Sequence, residues 1–363
     1  MPERSASRFG SLGVKAGEWV EVRSQAEILA TLDERGGLEN MPFMPEMLRY
    51  CGQRLRVSKR ADKTCQYIVG WSIRRVKDSV HLENVRCDGS RHGGCEAGCL
   101  IFWKEAWLKR AENDVPFVQN VPPRPRRSGS CTVDSIVAAS QATNSEGETV
   151  YSCQATEVYK FSSPMRIWDP RQYIRDLRSG NLASGLAGNS RAQRALDMLL
   201  SILRVLNAIV VSLFNEVQTR RHGVLYPFIA GKLEKTPIET LDLQPGELVQ
   251  IRSKEEIMAT LDTQNRNRGL LFDFEMLAYC GGIYRVLRRV LHIIDDKTGK
   301  MMNMKFPCIV LEGVVCRSDY HGLCPRAIYS YWRENWLMRA SPNPLPAKQQ
   351  EREVESCQQD CAG

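Results

Sequence analysis

Cys51, Cys87, His92 and Cys95 recur 229 residues later as Cys280, Cys316, His321 and Cys324. Each set is spaced Cys-x35-Cys-x4-His-x2-Cys, so three donors fall within nine residues and the fourth comes from a distant turn. Thiolates and imidazole are the soft and borderline donors that zinc collects into a tetrahedron, and Gly93 and Gly322 give the short donor loops room to bend. Four protein donors leave no open coordination position, so the expectation is two structural zinc sites that add folding stability and do no chemistry. The competing reading makes Cys51 and Cys280 small buried hydrophobes, with only the nearby loop residues binding metal or nothing binding at all. Cys99 aligns with Ile328, so it is either a substitute ligand that displaces His92 or a core thiol.

Other chemistry is thinner. Asp169, Arg171 and His222 are weak acid–base candidates, with Trp168, Tyr173 and Asp176 nearby in sequence, and helix capping with ion pairing outweighs catalysis there. Trp103/Trp107 and Trp332/Trp336, beside Arg110 and Arg339, offer stacking faces for bases or sugars, against the commoner reading of core aromatics. Arg56, Lys59 and Arg60, matched by Arg285, Arg288 and Arg289, make either a basic strip or a solvated strand face. The chain has no phosphate-binding glycine loop, nucleophile elbow or His-Glu-x-x-His helix.

The frame that must position the donors is duplicated as well: residues 17–111 align with 246–340 without a gap. Gly17-Glu-Trp-Val-Glu-Val-Arg alternates with period two and predicts a strand; Ser24-Gln-Ala-Glu27 is a capping box for a helix from Ala26 to Leu32. Phe43 to Gly52 reads as a helical turn closed by glycine. Strands follow at Arg54 to Lys59, Thr64 to Trp71 and Ser79 to Val85, then a Gly/Cys-rich loop, Arg86 to Cys99. Leu100 to Arg110 is expected as a helix with both indoles on one face. The Gly-x-x-Val-x-[Val/Ile]-Arg-Ser opening with its short strands resembles the first strand of small SH3-like barrels.

The resulting fold class is α+β: two homologous SH3-like β-barrel modules, 17–111 and 246–340, flanking a central α/β segment, 131–245, with a long buried helix. Residues 1–16 read as a disordered arm, 112–130 as a Pro/Arg-rich linker, and 341–363 as a disordered tail carrying Cys357 and Cys361 as exposed thiols. In the centre, Cys131 to Thr143 and Thr149 to Phe161 alternate as strands. Asp169 caps a helix that begins at Pro170 and stops at Gly180-Asn181. Arg191 to Gln218 is apolar nearly all round, which places it between other elements; Asp197, Arg204, Asn207 and Asn215 argue against a membrane span. The two repeats are expected to pack as a pseudo-symmetric intramolecular pair.

With 43% hydrophobic and 25% charged residues the chain is globular in composition. Its net charge of +8 and pI of about 8.8 fall short of a dedicated nucleic-acid binder. Met1 to Val14 has no apolar stretch of a secretory signal, so the expected location is cytoplasmic and the 13 cysteines read as thiols or metal ligands before disulfides.

Two further resemblances bear on function. Cys87-Asp-Gly-Ser-Arg-His92 is similar to the signature of the CDGSH iron–sulfur proteins, but an extra residue precedes the histidine and no Cys-x-Cys lies upstream; an iron–sulfur cluster, or iron, is therefore the weaker cofactor alternative to zinc. Trp168-Asp-Pro-Arg-Gln-Tyr173, Leu241-Asp-Leu-Gln-Pro-Gly246 and Tyr331-Trp-Arg-Glu-Asn-Trp336 together resemble an uncharacterised bacterial family found among polysaccharide and natural-product biosynthesis genes. That resemblance implies a biosynthetic setting only; with the two donor sets, the leading expectation is a metal-binding accessory or interaction protein in a biosynthetic system. The alternatives are a metal-dependent biosynthetic enzyme with a pocket between the repeats and the central segment, and a nucleic-acid-binding protein. The expected partner is a protein or a small-molecule substrate, with nucleic acid as the further option and no membrane.

Overall fold

Val20 and Val22, alternating with Trp19 and Glu21, turn inward from the strand Trp19–Val22, and both valines are fully buried. In a computed structural model that describes residues 11–68, 72–111, 131–182 and 191–340, helix and strand are mixed in small antiparallel sheets with one half-barrel. The linker 112–130, the tail with Cys357 and Cys361, and residues 1–10 lie outside the described residues. The chain divides into two compact units. The first comprises Met1–Ile229, Val290–Phe306 and Val315–Tyr329; the second comprises Ala230–Arg289, Pro307–Val314 and Ser330–Gly363.

In the first unit a five-stranded sheet runs Trp103–Lys104, Ser79–Leu82, Arg54–Arg60, Trp19–Val22, Leu108–Arg110. Trp19 pairs with Arg56, and Val22 pairs with Leu108. Ser24 and Glu27 do form the capping box, and the helix it starts is short, Gln25–Leu29. Phe43, Trp103 and Trp107 fill the core edge to face, Phe43 lying 5.2 Å from Trp107, and Trp107 Nε1 donates to Thr31 Oγ1 at 3.1 Å. Residues at the offset of 229 make the same contacts in the second unit: Phe272 lies 5.3 Å from Trp336, whose Nε1 donates to Thr260 at 2.9 Å. Leu248–Ile251 pairs there with Leu337–Arg339.

Several elements differ from the sequence expectation. Leu100 to Arg110 is no helix: Trp103–Lys104 and Leu108–Arg110 are strands joined by a turn at Glu105–Trp107. The four-residue indole spacing arises because the turn returns both rings to one core, a pattern that helix and strand–turn–strand share. The expected strand Cys131 to Thr143 is mostly the helix Val133–Ala139, capped by Thr132, with a strand only at Gln141–Thr143. Thr149 to Phe161 is the strand Thr149–Tyr151 followed by the helix Val158–Phe161. Residues 11–16, expected as part of the arm, are held: Val14 is fully buried, and Gly13 and Val14 donate backbone N–H groups to Glu105 at 3.3 and 3.2 Å.

The helix Pro170–Ser179 begins and ends as expected, with Asp169 accepting from Arg171 N and Gly180 left-handed at its end. The long helix Arg191–Arg220 exists but is not buried. Leu199, Leu206 and Leu213 are each more than half exposed, and only 22% of its most apolar window is buried. An all-round apolar composition reports what a helix can bury; it does not report that the rest of the chain covers it. By length and composition it is a helix that could cross a membrane.

Candidate metal centre

Glu46 is the second residue of the short 3-10 helix Pro45–Tyr50, which turns its carboxylate into the core of the first unit. Opposite it lies the Cys87–Cys99 loop. Its mouth is closed by Cys87 N donating to Cys99 O, and its tip is tightened by His92 N and Gly94 N both donating to Gly89 O, each at 2.9 Å. Gly89 has φ +68°, and a Cβ there would lie 2.1 Å from Cys95 O, so only glycine fits this pivot.

The loop thus delivers Cys87 and His92 to Glu46. The donor atoms of all three lie within 4.8 Å of one another, and the Glu46 and His92 side chains are 0% and 1% exposed. His92 Nδ1 is 2.7 Å from Glu46 Oε1, which also accepts from Arg91 N at 3.0 Å, while His92 Nε2 faces Ser152 O at 3.2 Å. Glu46 Oε2 is buried and makes no hydrogen bond to a described residue. A buried carboxylate oxygen without a donor is costly. An imidazole between two acceptors satisfies both either as an imidazolium paired with Glu46 or with a cation at Nδ1 and Nε2–H on the Ser152 carbonyl. The second arrangement is the usual outer-shell pattern of a metal-bound histidine.

Burial pushes the Glu46 carboxyl up, but the His92 hydrogen bond and charge, with the Arg91 N–H, bring it below its ordinary value. Burial pushes the Cys87 thiol well up, and the nearby Glu46 charge adds to this, so a cation must displace its proton. Glutamate, cysteine and histidine are all zinc donors.

Next to this group is a cavity of about 40 Å³ lined by four thiols, Cys87, Cys95, Cys99 and Cys153, together with Asp296 and Arg326. Arg326 pairs with Asp296 at 3.6 Å. Burial raises Cys99 and Cys153 alike, the latter to about 12. Cys95 Sγ accepts from Ile294 N at 3.3 Å. Cys51 lies apart from the cavity lining, packed against the hydrophobic core, where burial raises its pKa.

Of the second set, Cys316 and His321 meet in the first unit, with Sγ 3.5 Å from Nδ1. Cys324 accepts instead from Cys65 N at 3.1 Å. Burial works to raise Cys324, but Cys65, two backbone N–H groups and Arg326 lower it; Cys65 is raised, first by that same thiol–thiol hydrogen bond. Cys280 belongs to the second unit, where burial raises it to about 11. Glu46 was missed because the donor spacing was counted over cysteine and histidine alone. Its signal was present: Glu46-Met-Leu and Glu275-Met-Leu match at the same offset of 229.

The other candidates do not converge. Asp169 caps its helix and pairs with the exposed Arg171 at 2.9 Å, and no hydrogen bond or ion pair among the described residues links His222 to either. Trp103, Trp107, Trp332 and Trp336 are all fully buried, leaving no indole face for a base or sugar. Arg60 is spent on Asp62 and Glu105, Arg289 on Asp242 and Glu334, and Arg56 reaches Glu83. Comparison with protein-family models, curated proteins and solved structures gives no match.

Proposed function

We propose that this is a metal-binding protein in which Glu46, Cys87 and His92 hold a structural zinc ion. The observation that carries the reading is the buried Glu46 carboxylate, with Oε2 making no hydrogen bond to a described residue and Oε1 against His92 Nδ1. One thiol of the adjoining cavity would complete four donors, and a closed set of this kind fixes the fold without catalysing a reaction. The ion ties the Cys87–Cys99 loop to the Pro45–Tyr50 turn, and so braces a sheet that we read as a small SH3-like barrel. The donor spacing recurs in the second repeat of the sequence, which makes a second ion per chain part of the proposal. The sequence resemblance supports a role as an accessory or interaction protein of a bacterial biosynthetic system, for which we take the cytoplasm as the setting.

Metal analysis and cobalt substitution test this. Purified protein is expected to carry one or two zinc ions, and the cobalt form to show a thiolate-to-cobalt charge-transfer band. Cys87→Ser should weaken that band, and Glu46→Gln should lower zinc affinity about 10- to 100-fold, as loss of a ligand or its support does. A chain that retains no metal on dialysis against micromolar zinc, with melting unchanged by chelator, would leave Glu46 and His92 as a plain buried ion pair and end the proposal.

A further inference from the structure

The helix Arg191–Arg220 is about 45 Å long at 1.5 Å per residue. One narrow stripe seats it on the first unit. Ser201 Oγ donates to Leu182 O at 3.1 Å, Arg204 pairs with Asp319 at 2.7 Å, and Val205 and Ala208 pack with Tyr173, Leu182 and Leu323. On the opposite side run Leu196, Leu203, Val210 and Val217, each seven residues from the next, with Leu199, Leu206 and Leu213 between them. The steps alternate three and four without a break, and all seven side chains are between 44 and 64% exposed.

That spacing is the a/d seam of a coiled coil, held over three heptads, with leucine at every d position and valine at the last two a positions, a combination that favours two strands. We infer that two copies of this chain associate through this helix, seam against seam. A helix lying on lipid is apolar along one face too, but leucine at every d position and valine at the last two a positions of this stripe suit the knobs-into-holes packing of a partner helix. A second copy supplies the identical seam in a self-complementary twofold contact. Leu200, Ile202 and Phe214 flank the seam and are themselves more than a third exposed, so they widen the contact. With these ten large apolar residues 38–64% exposed, the open apolar face is on the order of several hundred Å² per copy, the size class of the roughly 800 Å² per partner of a standard interface.

Sedimentation velocity and light scattering of the full chain, from about 1 to 100 μM, test this pairing. The expected result is a dimer that Leu206→Glu with Leu213→Glu converts to monomer, with unchanged far-UV circular dichroism. Should that variant fail to fold, Leu206→Ala with Leu213→Ala is expected to raise the dimer dissociation constant at least tenfold. A wild-type monomer at 100 μM would overturn the inference. So would co-flotation with phosphatidylcholine–phosphatidylglycerol vesicles by a chain that stays monomeric in mild detergent, which would make lipid the occupant of the seam.

Discussion

His81 is a titratable ring with no exposed surface. Its Nδ1 lies 2.9 Å from Ile101 O, its Nε2 is buried without a hydrogen bond to a described residue, and its ring packs 4.5 Å from Phe102. Burial lowers its pKa from 6.5 to about 4; the Ile101 carbonyl opposes this, and the positive charges of Arg326, Lys59 and Arg86 add to it. The folded state therefore holds a neutral ring where the unfolded chain takes up a proton. The stability this ring contributes is intact above pH about 6.5 and falls as the pH drops toward about 4, by about 3 kcal/mol in all. Urea midpoints at pH 7.5 and 5.0 should show wild type losing more than His81→Gln; parallel losses would refute the assignment. At this level the sequence was only partly legible. Cys87 and His92 stood out because soft donors at short spacing are rare, whereas Glu46 looked like any surface glutamate until a 3-10 turn buried it.

Local elements were readable where one residue's chemistry decides them. Ser24 and Asp169 cap the helices they were expected to start, and Ser253, 229 residues after Ser24, caps its own, because a side-chain oxygen before an apolar run satisfies orphan N–H groups whatever the tertiary fold. Trp103 to Trp107 and the long helix were misread because period and composition leave open what covers a face, and only distant packing decides it. The Cys87–Cys99 loop falls between these cases, its shape hanging on Gly89. Two left-handed glycines separate the contributions there. Gly52, φ +76°, has nothing within 4 Å of the place a Cβ would occupy, whereas at Gly89, φ +68°, the Cβ would meet the Cys95 backbone at 2.1 Å. Gly52→Ala should therefore cost only the left-handed strain, about 1–2 kcal/mol. Gly89→Ala should cost more and also weaken zinc binding, since the loop must shift away from Glu46. Equal stability losses with unchanged zinc affinity would show that the loop does not position the donors.

The whole chain carries a constraint that neither residues nor elements reveal: its first unit is assembled from three separate stretches of sequence. Residues up to Ile229 supply the sheet and the Glu46–Cys87–His92 group, but their buried polar groups are completed by Val290–Phe306 and Val315–Tyr329. Lys63 Nζ donates to Gly322 O at 2.7 Å, Arg86 to Ala327 O at 2.9 Å, and Arg326 to Cys65 O at 3.2 Å, while Glu96 accepts from Leu291 N and His292 N. Without those stretches, Lys63 loses one of its acceptors inside the protein, and such a loss costs about 1–3 kcal/mol for each buried group left unpaired. Several such losses together rival the roughly 5–15 kcal/mol total stability of a domain. A fragment of residues 1–229 is therefore expected to melt without a cooperative transition and to bind a hydrophobic dye. The same fragment co-expressed with 230–363 should recover a cooperative melt and bound zinc, because all three stretches are then present without the covalent link at Ile229. A lone 1–229 fragment that melts cooperatively within a few degrees of the intact chain would show that its own contacts suffice and that the later stretches only decorate it.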